Sequence, residues 1–557
     1  MSYEGKNDKM RKSVWKWIIS LGAGLFIMIL LGGIGFEYVI EPYISRKIKD
    51  VVHESTGKAY EVDFESLDLG LLHGDITIRK INFYPDSARL DSISLWNKVN
   101  FRTRISADKL EIKSVGYWQL VIYKKLSIHE LDISRPQIDY GLIKSSQQDA
   151  DESRINSFSR YLYKAMGTYL NLAAIEQIHV GNASVTIFPP SERDTMFVLN
   201  DLDLILSDVK IDSQYASKEL PLMKDIKIRG KSLKWNIPGK FYRFTTGKFG
   251  LSTFEQRIYV DSLRLKPTLP KYTFSQTKGV ETDRINLQVK HVEINKLNKL
   301  LLLNWEELNA QYMIIDDASL HVFHDKKMPA APNQRTIFPR SMLQKIPVPF
   351  HFDSLHIKHS LISYSEQENL VPEPGVITFG NVNAGIFNLA NRRQNLQGDG
   401  VTIINTRSRV MKEGKLQVKI IIPPNDTLET HKIKGTLGPI PFTTFNQPLE
   451  KLAFIHLNSG QIHSLHFQMK LDRDKAVGAV TMNYEDLNVD LLDKKSLKEK
   501  GVNNLKALLA NTFIINKNNH GKSLRTSKIR YDNDQKKSIF TYWWKSLLSG
   551  LIANIKK

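Results

Sequence analysis

The sequence predicts a mainly β protein attached to a membrane by one N-terminal helix. Three observations support this prediction. The stretch from Ile18 to Phe36 contains no charged residue and is about long enough to cross the hydrocarbon core of a bilayer as a helix. From Tyr60 onward, apolar residues recur at every second position, the period of a strand with one buried face. An apolar pattern of paired short strands then recurs along the chain. We therefore expect a twisted sheet with a few capping helices.

The N-terminal flank predicts the orientation of the transmembrane helix. Basic residues crowd the segment 1–17, and positive flanks stay in the cytoplasm, so residues 1–17 are expected inside and the rest exported. A cleaved signal peptide has a similar start, but this apolar run is long and no clear small-x-small cleavage site follows it. A buried soluble helix is a third interpretation. The expected interfacial aromatic residues on the two flanks are Trp15, Trp17 and Tyr38.

Composition limits the classes of function. The chain has no cysteine, which excludes disulfides, thiolate metal sites and cysteine redox chemistry. Its formal net charge of +20 predicts affinity for anionic partners, and for an exported membrane protein these are envelope lipids such as phospholipids. The basic residues are spread along the chain and no nucleic-acid-binding motif is present, so nucleic acid is not an expected partner.

The chain after the span divides into a linker, a long β region and a tail. Residues 37–57 form a juxtamembrane linker, in which Glu41 to Ser55 has helical apolar spacing and Gly57 ends the pattern. Residues 58–537 form the β region. Predicted helices at 157–175, 295–310 and 496–513 interrupt its strands and are expected to pack across the sheet. A proline-rich connector is predicted at 328–349, and strands are predicted at 416–422, 452–457 and 476–484.

A strand, short turn, strand unit recurs in the β region. Apolar residues stand at offsets 0, 2, 7 and 9, and most neighbouring copies lie about 42 to 62 residues apart. Single matches arise by chance in a chain of this composition, but the spacing favours an array of related β units. Turn-prone tetrads such as Gly181 to Ser184 separate the two halves. The copies begin at Leu69, Leu131, Ile178, Ile226, Met313 and Leu355.

The C-terminal segment 538–557 predicts an amphipathic helix. Phe540, Trp544, Leu547 and Leu551 share one helical stripe, with Trp543 beside it. Aromatic and lysine residues at such positions suit a helix lying in a membrane interface, for which Trp543 and Trp544 are the candidate anchors. A helix that caps the last strands is the alternative, and the sequence leaves both open.

No catalytic, metal or cofactor motif is present. HExxH, GxSxG, a complete P-loop and GxGxxG after a strand are all absent. Two histidine groups deserve a check, His321 and His324 with Asp325, and His351, His356 and His359. Offsets of three or five on a strand point side chains to opposite faces, so solvated histidines are favoured over a zinc site. We expect no enzyme activity, no catalytic residue, no metal and no cofactor.

Both ends of the chain resemble a known family. The segment Thr56 to Val62, followed by Leu67-Asp68-Leu69 and Gly74 to Ile78, resembles the opening of AsmA-like proteins of Gram-negative bacteria. The segments Met482 to Leu487 and Tyr542 to Leu551 resemble the tails of Bacteroidetes members of that family. The middle of the chain is similar only in kind, as repeated short strands.

The resemblance implies an elongated, twisted, repeating β-groove related to bridge-like lipid-transfer proteins, held in the inner membrane and projecting into the periplasm. Its concave face would be apolar and would bind or conduct phospholipid in support of outer-membrane lipid homeostasis. Alternating strands agree, because they give one apolar face. The chain is shorter than the large bridge proteins, so it need not span the periplasm. The candidate groove residues are Ile133, Ile138, Ile178, Val185, Ile315, Leu320, Leu355 and Ile362.

Two other interpretations remain open at this stage. The same apolar residues could form a closed sandwich core without lipid. Alternatively, the protein could be a membrane-tethered scaffold that offers strand edges to outer-membrane proteins and assists their assembly. The scaffold predicts partner binding that survives polar substitutions in the groove.

Overall fold

The computed structural model is mainly β, with 62% of the described residues in strands of a twisted, mixed sheet. The chain forms two compact units. The first comprises residues 1–238, 244–260 and 298–306, and the second 239–243, 261–297 and 307–557. The structure describes residues 37–55, 60–70, 74–86, 101–116, 119, 122–142, 172–189, 195–212, 223–303, 306–331, 335–368, 372–392, 400–424, 428–492 and 515–556.

The first unit begins with helix α1 (Glu37–Ser55), continues through strands, and also contains the short helix α3 (Lys299–Leu303). Its strands are β1 (Tyr60–Asp63), β2 (Ser66–Gly70), β3 (Asp75–Pro85), β4 (Phe101–Val115), β5 (Lys125–Ser134), β6 (Gln137–Leu142), β7 (Leu172–Phe188), β8 (Phe197–Asp212), β9 (Asp225–Gly230), β10 (Ser232–Asn236) and β12 (Phe249–Ser252). Residues of β11 (Tyr242–Thr246) and β13 (Arg257–Pro267) fall in both units.

The second unit contains longer strands and the remaining helices. The helices are α2 (Lys271–Lys278), α4 (Pro339–Gln344), α5 (Asn446–Leu452) and α6 (Ile539–Ile555), with 3-10 turns at Phe442–Phe445 and Gly521–Ser523. The strands are β14 (Asp283–Leu297), β15 (Leu308–Asp325), β16 (Phe350–Gln367), β17 (Gly375–Ala390), β18 (Thr402–Val410), β19 (Gly414–Ile422), β20 (His431–Leu437), β21 (Ile440–Pro441), β22 (Ile455–Leu471), β23 (Lys475–Leu491) and β24 (Thr526–Asp532).

Neighbouring strands pair mostly antiparallel, and parallel pairings in each unit make the sheet mixed. In the first unit, β5 and β6 both pair antiparallel with β4 and parallel with β7. In the second unit, β15 pairs parallel with β16 along nearly its whole length. The strands β5 and β6 therefore lie end to end and act as one interrupted strand.

The predicted strand, turn, strand unit has two outcomes. The first copy is a reversal, because β2 pairs antiparallel with β3 and Leu69 lies opposite Ile76, whereas two later tetrads are kinks within strands. The tetrad Gly181 to Ser184 lies inside β7, and Asp316 to Ser319 lies inside β15. Each kink contains a residue with positive φ, 53° at Asn182 and 53° at Asp317. Asn and Asp occupy this left-handed region more readily than other non-glycine residues, so the turn-prone composition bends a strand without reversing it.

The helix predictions have mixed outcomes. The predicted helix from Glu41 to Ser55 is confirmed as part of α1. The predicted helix at 295–310 is wrong, because β14 continues to Leu297, which pairs with Ala310 of β15. Among the described residues between them, the helix is α3. The predicted strand at 452–457 is shortened by α5, which ends at Leu452. The predicted connector at 328–349 contains α4.

The predicted helix at 496–513 lies outside the described residues. Of the helix predicted at 157–175, residues 157–171 also lie outside them, and Leu172 to Ile175 belong to β7.

Within the part of the chain that the structure describes, we find no helix with the length and hydropathy of a membrane span. The predicted transmembrane helix, Ile18 to Phe36, lies outside the described residues, as do Trp15 and Trp17.

The largest hydrophobic core lies in the second unit beneath α6. It joins buried residues of the last strands, including Leu471, Val480 and Ile529, to Ile539 and Tyr542 of the helix. Gly550 permits this close packing, because a Cβ atom there would lie 2.6 Å from Cγ1 of Ile529. The C-terminal helix is confirmed, and it covers one end of the sheet.

Candidate functional site

The described strands of the first unit bring their apolar side chains together on one face. Residues that lie directly opposite each other on paired strands share a face of the sheet, so the register identifies three rows, which we call the apolar face of the first unit. The first row is Ile78, Leu110, Ile133, Val180, Leu204 and Ile228. The second is Ile76, Ile112, Leu131, Ile178, Leu206 and Ile226. The third is Phe83, Ile105, Ile138, Val185, Leu199 and Leu233.

The kinks keep these rows on the same face. Val180 and Val185 of β7 lie five positions apart. In a regular strand, this odd offset would place their side chains on opposite faces. The pairing of β7 with β8 shifts register between Val180 and Ala183 and again between Ala183 and Val185. The first shift places one extra residue in β7 and the second places one extra residue in β8. Each strand thus gains one residue, which restores the parity in both. The kink therefore explains why the pattern at offsets 0, 2, 7 and 9 describes one apolar face.

The four candidate groove residues of the first unit, Ile133, Ile138, Ile178 and Val185, all lie in these rows and are only half-buried. A closed sandwich core would bury such residues completely, because a second layer would cover them. In the first unit, Ile76 and Ile226 are the members of the three rows that are buried. The half-buried state favours an apolar face that remains open along much of its described length.

Helix α1 covers the beginning of this face. Ile44 is 1% exposed and packs with Leu67 and Ile76, while Ile48 packs against the same cluster. Lys49 contributes an ion pair with Asp63 at 2.6 Å. Tyr38 also belongs to α1. The segment that follows the predicted membrane span is therefore docked on the first strands of the apolar face.

The opposite face of the first unit is polar. Lys113 Nζ lies 2.9 Å from Glu130 Oε2, and Lys109 Nζ lies 3.0 Å from Glu111 Oε2. His179 Nδ1 lies 2.6 Å from Asp132 Oδ2. Burial raises the pKa of Asp132, but hydrogen bonds from Ser134 and His179 outweigh it and the net shift is downward. The sheet is thus amphipathic, with a charge-paired polar face behind an apolar one.

The second unit has the same construction over more strands. One apolar row runs through every strand from β14 to β24 except the short β21, and Leu355 lies in it. Ile315 lies in the adjacent row, and Leu320 pairs with Ile362 beyond the kink. Leu355 is buried, whereas Ile315, Leu320 and Ile362 are half-buried. The long row is Ile294, Met313, Leu355, Ile386, Ile404, Ile420, Ile433, Met469, Gly478 and Ile529.

The aromatic residues of α6 divide between the sheet and solvent. Trp543 Nε1 donates a hydrogen bond of 2.7 Å to His431 Nε2, so this indole is bound to the protein. Trp544 is 47% exposed and Phe540 is 61% exposed. The helix therefore caps the last strands, and its outer side presents Phe540 and Trp544.

The histidine groups form no metal site among the described residues, where no cluster of metal-ligating side chains is found. His321 faces Ser319 at 3.0 Å, and His359 pairs with Asp316 at 2.9 Å. His356 packs on Phe387. His351 is buried, and His324 pairs with Asp283 at 2.9 Å. The expectation that these histidines are solvated is wrong for His351, which is 2% exposed.

Comparison of the sequence with protein-family models and with curated proteins yields no match.

Proposed function

We propose that this protein binds or conducts phospholipid along the apolar face of its sheet, and that it does so as an inner-membrane-anchored periplasmic protein supporting outer-membrane lipid homeostasis. The observation that carries the proposal is the half-buried state of most side chains in the apolar rows of the first unit; most of the long row of the second unit is buried. A continuous set of isoleucine, leucine and valine side chains that no second layer fully covers retains contact area for an apolar ligand.

The chemistry of the face suits acyl chains. It contributes branched aliphatic side chains that lie about 4.8 Å apart within each row, the spacing of paired strands. Transfer of a methylene group from water onto such a surface is worth about 0.8 kcal/mol, so an acyl chain laid across several strands gains binding energy without specific polar contacts. The polar face behind it keeps the sheet soluble and leaves the headgroup to water.

The position of α1 supports a route from the membrane. This helix follows the predicted span and packs on the first strands of the apolar face. A lipid that leaves the bilayer beside α1 would reach the first apolar rows within the length of the helix. The basic flank and the resemblance to AsmA-like proteins support the periplasmic placement.

The test is the lipid content of the purified full-length protein, measured by mass spectrometry. We expect bound phospholipid in the wild type and a several-fold loss in Ile178→Asp, because a carboxylate on the apolar face repels acyl chains. Gln177→Asp is the matched control, since Gln177 is the preceding residue, is exposed and lies opposite Glu130 on the polar face. Absence of lipid from the folded wild type, or equal lipid in the two variants, would overturn the proposal.

Ile133→Asp and Leu320→Asp extend the same test to both units. Circular dichroism distinguishes loss of lipid from loss of fold. A closed core predicts unfolding of these variants, whereas an open face predicts folded proteins with less lipid.

A further inference from the structure

The polar face of the second unit carries lysines in direct register. Lys419 of β19 lies opposite Lys434 of β20, and Lys432 of β20 lies opposite Lys470 of β22. Like charges that face each other across a strand pair destabilise the sheet. Arg407 of β18 lies on the same face, opposite Gln417, two positions from Lys419. We call Arg407, Lys419, Lys432, Lys434 and Lys470 the cationic face.

The charges of the cationic face are not neutralised by carboxylates. All five side chains are exposed, and no carboxylate oxygen of the described residues lies within 4.0 Å of any of them. The polar face of the first unit differs, because Lys113 there is paired with Glu130 and Glu111.

The cationic face borders a cavity of about 1,020 Å³. Arg407, Lys419 and Lys434 line it together with Lys358. Amide and hydroxyl groups complete its polar lining, which includes Asn405, Gln417, Thr436, Gln468 and Thr481. These groups can donate hydrogen bonds to anionic oxygens between the charged side chains. The lining of this cavity is mixed, because apolar residues such as Phe387 and Val418 lie beside the charged and polar ones.

We propose that the cationic face binds an anion carrying several phosphate groups. Opposed lysines lie one strand spacing apart, about 4.8 Å, and Lys432 and Lys434 lie two residues apart along β20, about 6.8 Å. This grid suits phosphates separated by several ångströms, each contacted by two ammonium groups. The same chemistry occurs in a multiply phosphorylated lipid headgroup and in a soluble polyphosphate. The site lies on the opposite face from the apolar rows, so it does not depend on acyl-chain binding.

The experiment uses the purified full-length protein and two probes. Inositol hexakisphosphate, measured by calorimetry, tests a soluble polyphosphate. Co-sedimentation with vesicles of phosphatidylcholine, with and without a phosphatidylinositol bisphosphate, tests a headgroup. The variant is Lys419→Gln with Lys434→Gln. The control is Lys210→Gln with Lys234→Gln, which removes the same charge from exposed lysines of the first unit.

We expect the Lys419/Lys434 variant to raise the dissociation constant of at least one probe tenfold or more, while the control changes it less than twofold. Binding should also weaken with added salt, since exposed charges are screened. If the Lys419/Lys434 variant binds only the soluble probe more weakly, the ligand is a soluble polyphosphate. If it binds the vesicles more weakly, the ligand is a lipid headgroup. Equal binding by the two variants, or no binding of either probe by the wild type, would overturn the proposal.

Discussion

Trp543 Nε1 donates a hydrogen bond to Nε2 of His431 across 2.7 Å, and this bond joins the C-terminal helix to strand β20. The other ring nitrogen of His431, Nδ1, lies 3.0 Å from the carbonyl oxygen of Glu429. An imidazole that accepts at Nε2 and donates at Nδ1 is neutral. Burial lowers the pKa of His431, in agreement with the neutral form.

Replacing Trp543 should loosen the helix. Trp543→Phe removes the donor and leaves the buried Nε2 of His431 without its partner, which costs about 1–3 kcal/mol. Hydrogen exchange of the segment Ile539–Ile555 should accelerate accordingly. Trp544→Phe is the control, because Trp544 is 47% exposed and exposed substitutions stay within about 0.5 kcal/mol. Equal exchange in both variants would contradict the role of this bond.

Acidification should have the same effect as Trp543→Phe. The pKa of His431 is below its ordinary value of 6.5, so its contribution to stability is present above pH 6.5 and is lost as the pH falls. A protonated Nε2 can no longer accept from Trp543. We expect exchange of α6 in the wild type to accelerate between pH 7 and pH 5 relative to His431→Gln. A parallel pH dependence in both proteins would exclude His431 as its source.

The interactions of His324 predict a pH dependence of stability opposite to that of His431. His324 Nδ1 lies 2.9 Å from Asp283, and Nε2 lies 3.8 Å from Glu281, which also pairs with Lys537 of the segment before α6. Burial lowers the pKa of His324, but its bonds to Asp283 and Glu281 outweigh burial and raise the pKa to about 9.

The stabilisation by His324 is complete below pH 6.5 and is lost as the pH rises through about 9. The melting temperature of the wild type should exceed that of His324→Gln near pH 6.5, and the difference should shrink toward pH 9.5. Both proteins titrate the same other groups, so the difference isolates His324. A difference that stays constant over this range would contradict the assignment.

Glycine is required at position 460 by the backbone conformation there and by the atoms that a side chain would meet. Its φ is +121°, and a Cβ atom would lie 2.9 Å from the Cα atom of Leu487 and 2.9 Å from the ring of Phe442. Gly460→Ala should therefore cost about 1–3 kcal/mol through strain alone, measured as a lower melting temperature. In Gly380→Ala the nearest atom would be 3.9 Å away, so this control should change stability by less than about 1 kcal/mol. Equal melting temperatures would contradict the geometry at Gly460.

The sequence predicted the β periodicity, the amphipathic faces and the C-terminal helix because each depends on side-chain spacing within one element. It did not predict that Asn182 and Asp317 bend strands. A turn and a kink use the same left-handed residues, and only pairing with a neighbouring strand distinguishes them. The helix predicted at 295–310 failed for a related reason, since pairing of Leu297 with Ala310 extends the strands into a leucine-rich segment.

The sequence could predict which apolar residues share a face, because alternation identifies one face of a strand. How exposed each of them is could not be predicted, since exposure depends on whether another layer covers the sheet. The cationic face could not be predicted from the sequence either. Lys419, Lys434 and Lys470 are far apart in sequence, and only the register of β19, β20 and β22 brings them together. A net charge of +20 indicates affinity for anions but does not show which surface binds them.

Site-specific photo-crosslinking in intact cells tests whether lipid lies on the apolar face of the first unit. A photoreactive amino acid would replace Ile178 or Val180 on the apolar face, and Gln177 or His179 on the polar face, in the same strand. We expect phospholipid adducts at positions 178 and 180 and none at positions 177 and 179. Adducts on both faces, or on neither, would contradict this expectation.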